Sequence, residues 1–148
     1  MITMEWIKED IEKLDKNIYI YIPGNVPSSK NSRMWTGKIS VASKSVQKWR
    51  RSTKEIWISE KEHFKKKIKN LPKPYFIGMY FIKSTKHRWD FVNPVQTIQD
   101  EMVKYEWIED DDVKNIYPIP ITINNTLCGT SKECAGVIIK IIKEYNIW

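Results

Sequence analysis

A chain of 148 residues with 25 Lys and Arg against 18 Asp and Glu, a net charge of +7, is expected to fold as one domain around a real core and to meet an anionic partner, nucleic acid being the commonest. No apolar run approaches the ~20 residues of a bilayer span, and the N-terminal MITMEWIKEDIEK lacks the apolar core of a signal peptide, so a cytoplasmic location with no membrane partner is expected. Cys128 and Cys134 match no zinc spacing and read as reduced thiols.

Met1 to Lys16 sets Trp6, Ile7, Ile11 and Leu14 at helical spacing, which predicts an amphipathic helix appended to the domain proper, residues 17–148. Asn17 to Pro23, NIYIYIP, alternates and is rich in β-formers, so it is the first strand. The following GNVPSSKNSRMWTGK is loop chemistry punctuated by Lys30, Arg33 and Lys38. A basic loop rich in Ser and Asn suits a phosphate backbone, although a loop of no function would also be polar.

Ser43 to Ile68 carries the strongest helix pattern. Val46, Trp49, Thr53, Ile56, Trp57 and Phe64 mark an apolar stripe, and Lys44, Lys48, Arg50, Arg51, Lys54, Lys61 and Lys65 to Lys67 crowd the rest. Such a basic face is solvated by default and serves phosphate only beside a site. Pro72 and Pro74 end the helix, and Tyr75 to Ser84 reads as a buried strand.

Lys86, His87 and Arg88 then flank Asp90, past that strand's end. Asn93 suits an N-cap and Pro94 a first helical position. Val95, Ile98, Met102 and Tyr105 fall on one face of the helix they open, and Gln96, Asp100 and Lys104 on another. A helix from Pro94 to Tyr105 is about 18 Å long at about 1.5 Å per residue. About six extended residues, at roughly 3.3 Å each, cover a similar distance back, so Asp110 and Asp111 are expected to return to Asp90. Gathered carboxylates repel one another unless a hard cation such as Mg²⁺ lies between them. Taken alone, Glu109 to Asp112 reads first as a solvated acidic turn, and its surroundings shift that reading.

Val113 to Asn124 reads as an edge strand broken by Pro118 and Pro120, and NNTLCGTSKE as a turn-rich connection. Cys134 to Lys143 is a strand whose near-continuous apolar run argues for burial on both faces or at a subunit contact. The sum is an α+β fold, a small mixed sheet packed with two main helices. There is no internal repeat, Gly-rich phosphate loop or nucleophile–histidine pair.

Asp90 and Asn93 at the head of a helix, Val103-Lys104 near its end and the Asp110-Asp111 turn, together with the opening IPGNVPSSKNS, resemble the RusA family of phage and prophage Holliday junction resolvases. The resemblance covers roughly residues 18–143. It implies a Mg²⁺-dependent endodeoxyribonuclease, with Mn²⁺ as the substitute ion, that resolves four-way junctions in recombination and repair. Asp90 and Asp111 would be catalytic, with Asp90, Asp110 and Asp111 as metal ligands and Asp100 as a neighbour able to make up for a missing carboxylate. Lys30, Arg33, Lys86, Arg88 and Lys104 would meet DNA, no small-molecule cofactor would be needed, and a homodimer would supply two symmetric sites. Three positions depart from the family pattern: its second Asp is Val92, a helical Lys is Gln96, and the Gly before the acidic turn is Glu106. Valine cannot bind a metal, so a catalytically weak or inactive branched-DNA binder is the alternative reading. A basic single-strand or duplex binder with structural acids is a third.

Overall fold

Tyr75–Lys83 (β5) is the strand on which the others assemble, because its residues 77–82 are all buried and both its edges are paired. The structure is a computed structural model, and it describes residues 3–28, 33–35 and 40–144. In chain order the remaining elements are β1 (Thr3–Glu5), α1 (Lys8–Glu12), β2 (Tyr19–Pro23), β3 (Arg33–Trp35), β4 (Ser40–Ala42), α2 (Lys44–Ile68), α3 (Val92–Lys104), β6 (Ile116–Pro120), β7 (Cys128–Thr130) and β8 (Gly136–Ile142).

One edge of β5 pairs antiparallel with β8, which pairs antiparallel with β2. The other edge pairs parallel with β6 along its first half and with β7 at its end, and β7 pairs parallel with β1. The result is the expected α+β fold, among the described residues a mixed sheet of six strands with three helices. Pro118 and Pro120 lie in β6, which pairs only with β5, so their missing N–H groups cost the sheet nothing on the open side. β8 is buried along Gly136 to Ile139 between its two neighbours, as its apolar run predicts.

Alternation along the strands divides the core in two. Ile77, Met79 and Phe81 of β5, Val137, Ile139 and Ile141 of β8, and Ile20 and Ile22 of β2 face α2 and α3. Tyr80, Ile82 and Ile138 face the other way, against Trp6. Ser43 caps α2 by accepting from the Val46 N–H at 3.4 Å, and Val46, Trp49, Thr53, Trp57, Phe64 and Ile68 form its buried stripe. Among the described residues no helix is long and apolar enough to cross a membrane.

The structure departs from the sequence reading in four places. The helix expected over Met1 to Lys16 is a strand, β1, followed by the five-residue α1. Trp6 is the reason: it is 3% exposed, and its indole N–H donates to the Tyr80 hydroxyl at 3.1 Å, which draws the segment into the sheet. The turn-rich connection contains β7, where Gly129 admits that indole; a Cβ there would lie 2.3 Å from Trp6 Cδ1. The long basic loop contains the β3–β4 hairpin. Strands of three residues are too short to show a period.

The fourth difference concerns α3, which starts at Val92 rather than Pro94. Phe91 already has helical angles and its carbonyl accepts from Val95 N at 3.2 Å, so Asn93 lies inside the first turn and is not the N-cap. Pro94 still fits, because the first four N–H groups of a helix have no partner within it.

Candidate functional site

The loop 84–91 carries Asp90 and is held by aromatic packing on either side of it. Trp89 and Phe91 both meet the Phe81 ring edge-on, at 5.7 and 5.8 Å between centroids, which leaves Asp90 between them exposed. Beneath the loop, Lys83 Nζ donates to the Val26 carbonyl at 2.6 Å and lies 5.7 Å from the centroid of the Trp89 ring. Burial pushes its pKa down to about 8. The loop after β2 is fastened at two more points: Ser84 N–H donates to Asn25 Oδ1 at 2.8 Å, and Thr97 Oγ1 donates to the Pro27 carbonyl at 2.7 Å. The end of β5, the start of α3 and the Asn25-Val26-Pro27 segment therefore form one body.

The reversal after α3 positions the acidic turn. Glu106 N–H donates to the Val103 carbonyl at 3.0 Å and Trp107 N–H to the Met102 carbonyl at 2.8 Å, the paired bonds of a Schellman ending. That ending needs a left-handed residue, and Glu106 supplies it with φ of 62°. The position at which the resemblance expects glycine is thus one where glycine would relieve strain. Glu106→Gly is expected to raise stability by about 0.5–1 kcal/mol, the left-handed penalty less the added freedom of the unfolded chain; its exposed ion pair with Lys61, at 3.5 Å, adds little. A urea midpoint equal to or below that of the wild type would contradict this.

Beyond the reversal, Trp107 and Ile108 are buried, and Trp107 Nε1 donates to the Trp57 carbonyl at 2.9 Å. Its ring lies 4.8 Å from Trp57 and 4.9 Å from Phe64. Fixed to α2 in this way, the chain returns along α3. Asp111 reaches Gln96, whose amide nitrogen donates to Asp111 Oδ2 at 2.9 Å and to Asp100 Oδ1 at 2.8 Å. Only the amide nitrogen has two protons to satisfy two carboxylates, so this orientation of Gln96 is dictated by its neighbours.

The four carboxylates expected at the metal are therefore brought together only in part. Asp100 and Asp111 share the Gln96 amide, and Asp110 accepts its neighbour's backbone N–H at 2.8 Å. Asp112 is a turn-former, its carboxylate accepting from the Asn115 amide at 2.7 Å. Among the described residues no three His, Cys, Asp or Glu side chains are placed to hold a metal ion together. Val92, at the head of the same stripe, is 69% exposed and offers no oxygen. Asp100 and Asp111, facing each other across Gln96, are the carboxylates that a Mg²⁺ ion could use there, its remaining positions falling to waters and substrate phosphates, as that ion commonly binds.

Of the expected DNA contacts, Lys86, Arg88 and Lys104 are exposed, Lys86 lying 3.2 Å from Glu5 and Lys104 5.4 Å from the centroid of the Tyr105 ring. Lys30 lies outside the described residues, and Arg33 is described only as backbone in β3. Sequence reasoning missed Glu101, which is 1% exposed on α3, with Oε1 3.3 Å from Arg50 Nε and Oε2 without a hydrogen-bond partner among the described residues. Burial raises its pKa against the pull of Lys104 and Arg50. It also missed the Gln96 bridge; the four-residue spacing to Asp100 was visible, but the partner from the acidic turn was not. No family model matches the chain, and no curated protein matches it either.

Proposed function

We propose that the chain binds branched DNA, four-way junctions above all, as a RusA-like protein of the cytoplasm whose own cleavage activity is weak or absent. The observation that carries this reading is the Gln96 bridge: a carboxamide stands between Asp100 and Asp111 where a cleaving site would need a cation between carboxylates. The net charge of +7 supports a phosphate partner, as do the exposed Lys44, Lys48, Arg51 and Lys54 of α2 together with Lys86, Arg88 and Lys104. A homodimer belongs to the reading, since a two-fold pair matches a four-way junction.

A second reading, the Mg²⁺- or Mn²⁺-dependent endodeoxyribonuclease of recombination and repair, is favoured by the return of Asp111 to α3 and the outward placement of Asp90 ahead of that helix. Incubation with a synthetic four-way junction separates the two. The expected result is metal-free binding that prefers the junction to linear duplex, with affinity falling about 10³-fold between 50 and 200 mM salt if about six phosphates are neutralised. Few or no nicks are expected when Mg²⁺ or Mn²⁺ is added. Rapid symmetric nicking would replace the first reading by the second, and an affinity independent of salt would remove both.

A further inference from the structure

Three parallel strands, β1, β7 and β5, deliver their carboxyl ends to one place, with Glu5 opposite Thr130 and Thr130 opposite Lys83 in the register. Two of them leave the sheet through matching chemistry: Ser84-Thr85-Lys86 follows β5, and Ser131-Lys132 follows Thr130 at the end of β7. The exits are tied together, Ser131 N–H donating to the Lys83 carbonyl at 2.9 Å. Between them and Glu5 lies an open crevice of about 660 Å³.

Its lining carries the hydroxyls of Ser84, Thr85, Thr130 and Ser131 and the ammonium groups of Lys86 and Lys132, together with the exposed carboxylates of Glu5 and Glu133. Thr85 Oγ1 accepts from His87 N–H at 3.4 Å and Ser131 Oγ from Cys134 N–H at 2.9 Å. A hydroxyl held as an acceptor still has its own proton to give. Lys132 is exposed. Among the described residues Lys86 is engaged by Glu5, at 3.2 Å, with both side chains more than three-quarters exposed, so that pair opens at little cost. Hydroxyls and ammonium groups along an open cleft match the alternating oxygens of a sugar–phosphate strand, whereas a small anion would call for an enclosed pocket. Lys86 also precedes Asp90 by four residues, at most about 14 Å of chain, or about four nucleotides at 3.4 Å each.

We infer that this crevice seats the sugar–phosphate backbone of one DNA arm, with Lys132 and Lys86 on its phosphates and the exposed carboxylates of Glu5 and Glu133 as the groups the strand displaces. The inference rests on the DNA-binding reading and gives it a second contact surface, across the end of the sheet from α3.

The test is fluorescence anisotropy of a labelled four-way junction with the full chain at several salt concentrations, comparing wild type with Lys132→Ala, Glu5→Gln and, as a control at the residue that follows α2, Lys69→Ala. Lys132→Ala is expected to weaken binding about fivefold and to reduce the salt slope by about one, the signature of one lost phosphate contact. Glu5→Gln is expected to tighten binding about threefold, a gain that damage to the fold would not produce, because it frees Lys86 and removes a repelling carboxylate. Lys69→Ala is expected to match wild type. Wild-type binding left unchanged by both crevice variants would overturn this inference and leave the DNA-binding reading standing. Absence of wild-type binding at low salt would overturn that reading and the inference with it.

Discussion

Replacing Trp107 with alanine is expected to remove about 3–5 kcal/mol of stability, the range for deleting a large buried aromatic side chain. At about 2–4 °C per kcal/mol for a domain of this size, the melting temperature should fall by roughly 6–20 °C. The ring is fully buried between Trp57 and Phe64, and its N–H holds the Trp57 carbonyl. Because this anchor turns the chain back along α3, the Asp111–Gln96 bond should be lost with it, and junction binding should weaken even where the variant remains folded. Trp107→Phe retains the ring stacking and gives up only the hydrogen bond and some volume, so it should cost less than half as much. Urea denaturation of the three proteins, followed by circular dichroism, measures both differences; equal stability of Trp107→Ala and wild type would mean that the acidic turn is held by something else.

Val92→Asp is expected to raise Mg²⁺ and Mn²⁺ affinity at least about tenfold, one added charge–oxygen contact at a partly shielded surface being worth about 1.4 kcal/mol or more. It should bring junction nicking with it. Helical spacing supplies the reason: residues four apart on a helix share a face, their Cβ atoms about 5–6 Å apart. Position 92 therefore stands over Gln96, which already holds Asp100 and Asp111. An acid there would be a third carboxylate on this stripe. Extended backbone would have aligned it with Asp90 instead, but Phe91 is helical and excludes that alignment. The substitution should fold well, because Val92 is exposed and an acid in the first turn of a helix is favourable by about 0.3–1 kcal/mol. Isothermal titration with each ion, run beside junction cleavage, reads the outcome. Unchanged metal binding would show that the stripe cannot form a cation site and would leave the protein as a binder only.

The elements longest in sequence were legible from it, because their periods repeat often enough to stand above noise. The stripe of α2, the buried β5, the apolar β8 and the proline-marked edge β6 all follow from spacing and residue type. The outward row Gln96, Asp100 and Lys104 was equally visible, because a helix fixes which residues share a face before any tertiary contact forms. Only the tertiary structure decided the rest. The three-residue strands β1 and β7 exist because one buried indole fits over Gly129 and bonds to Tyr80, a match between residues 74 positions apart in the chain. Which carboxylates meet was likewise beyond any local pattern. It depends on where the buried Trp107 fixes the returning chain, and that brought Asp111 to Gln96 and Asp100, with Asp90 left at the surface ahead of the helix.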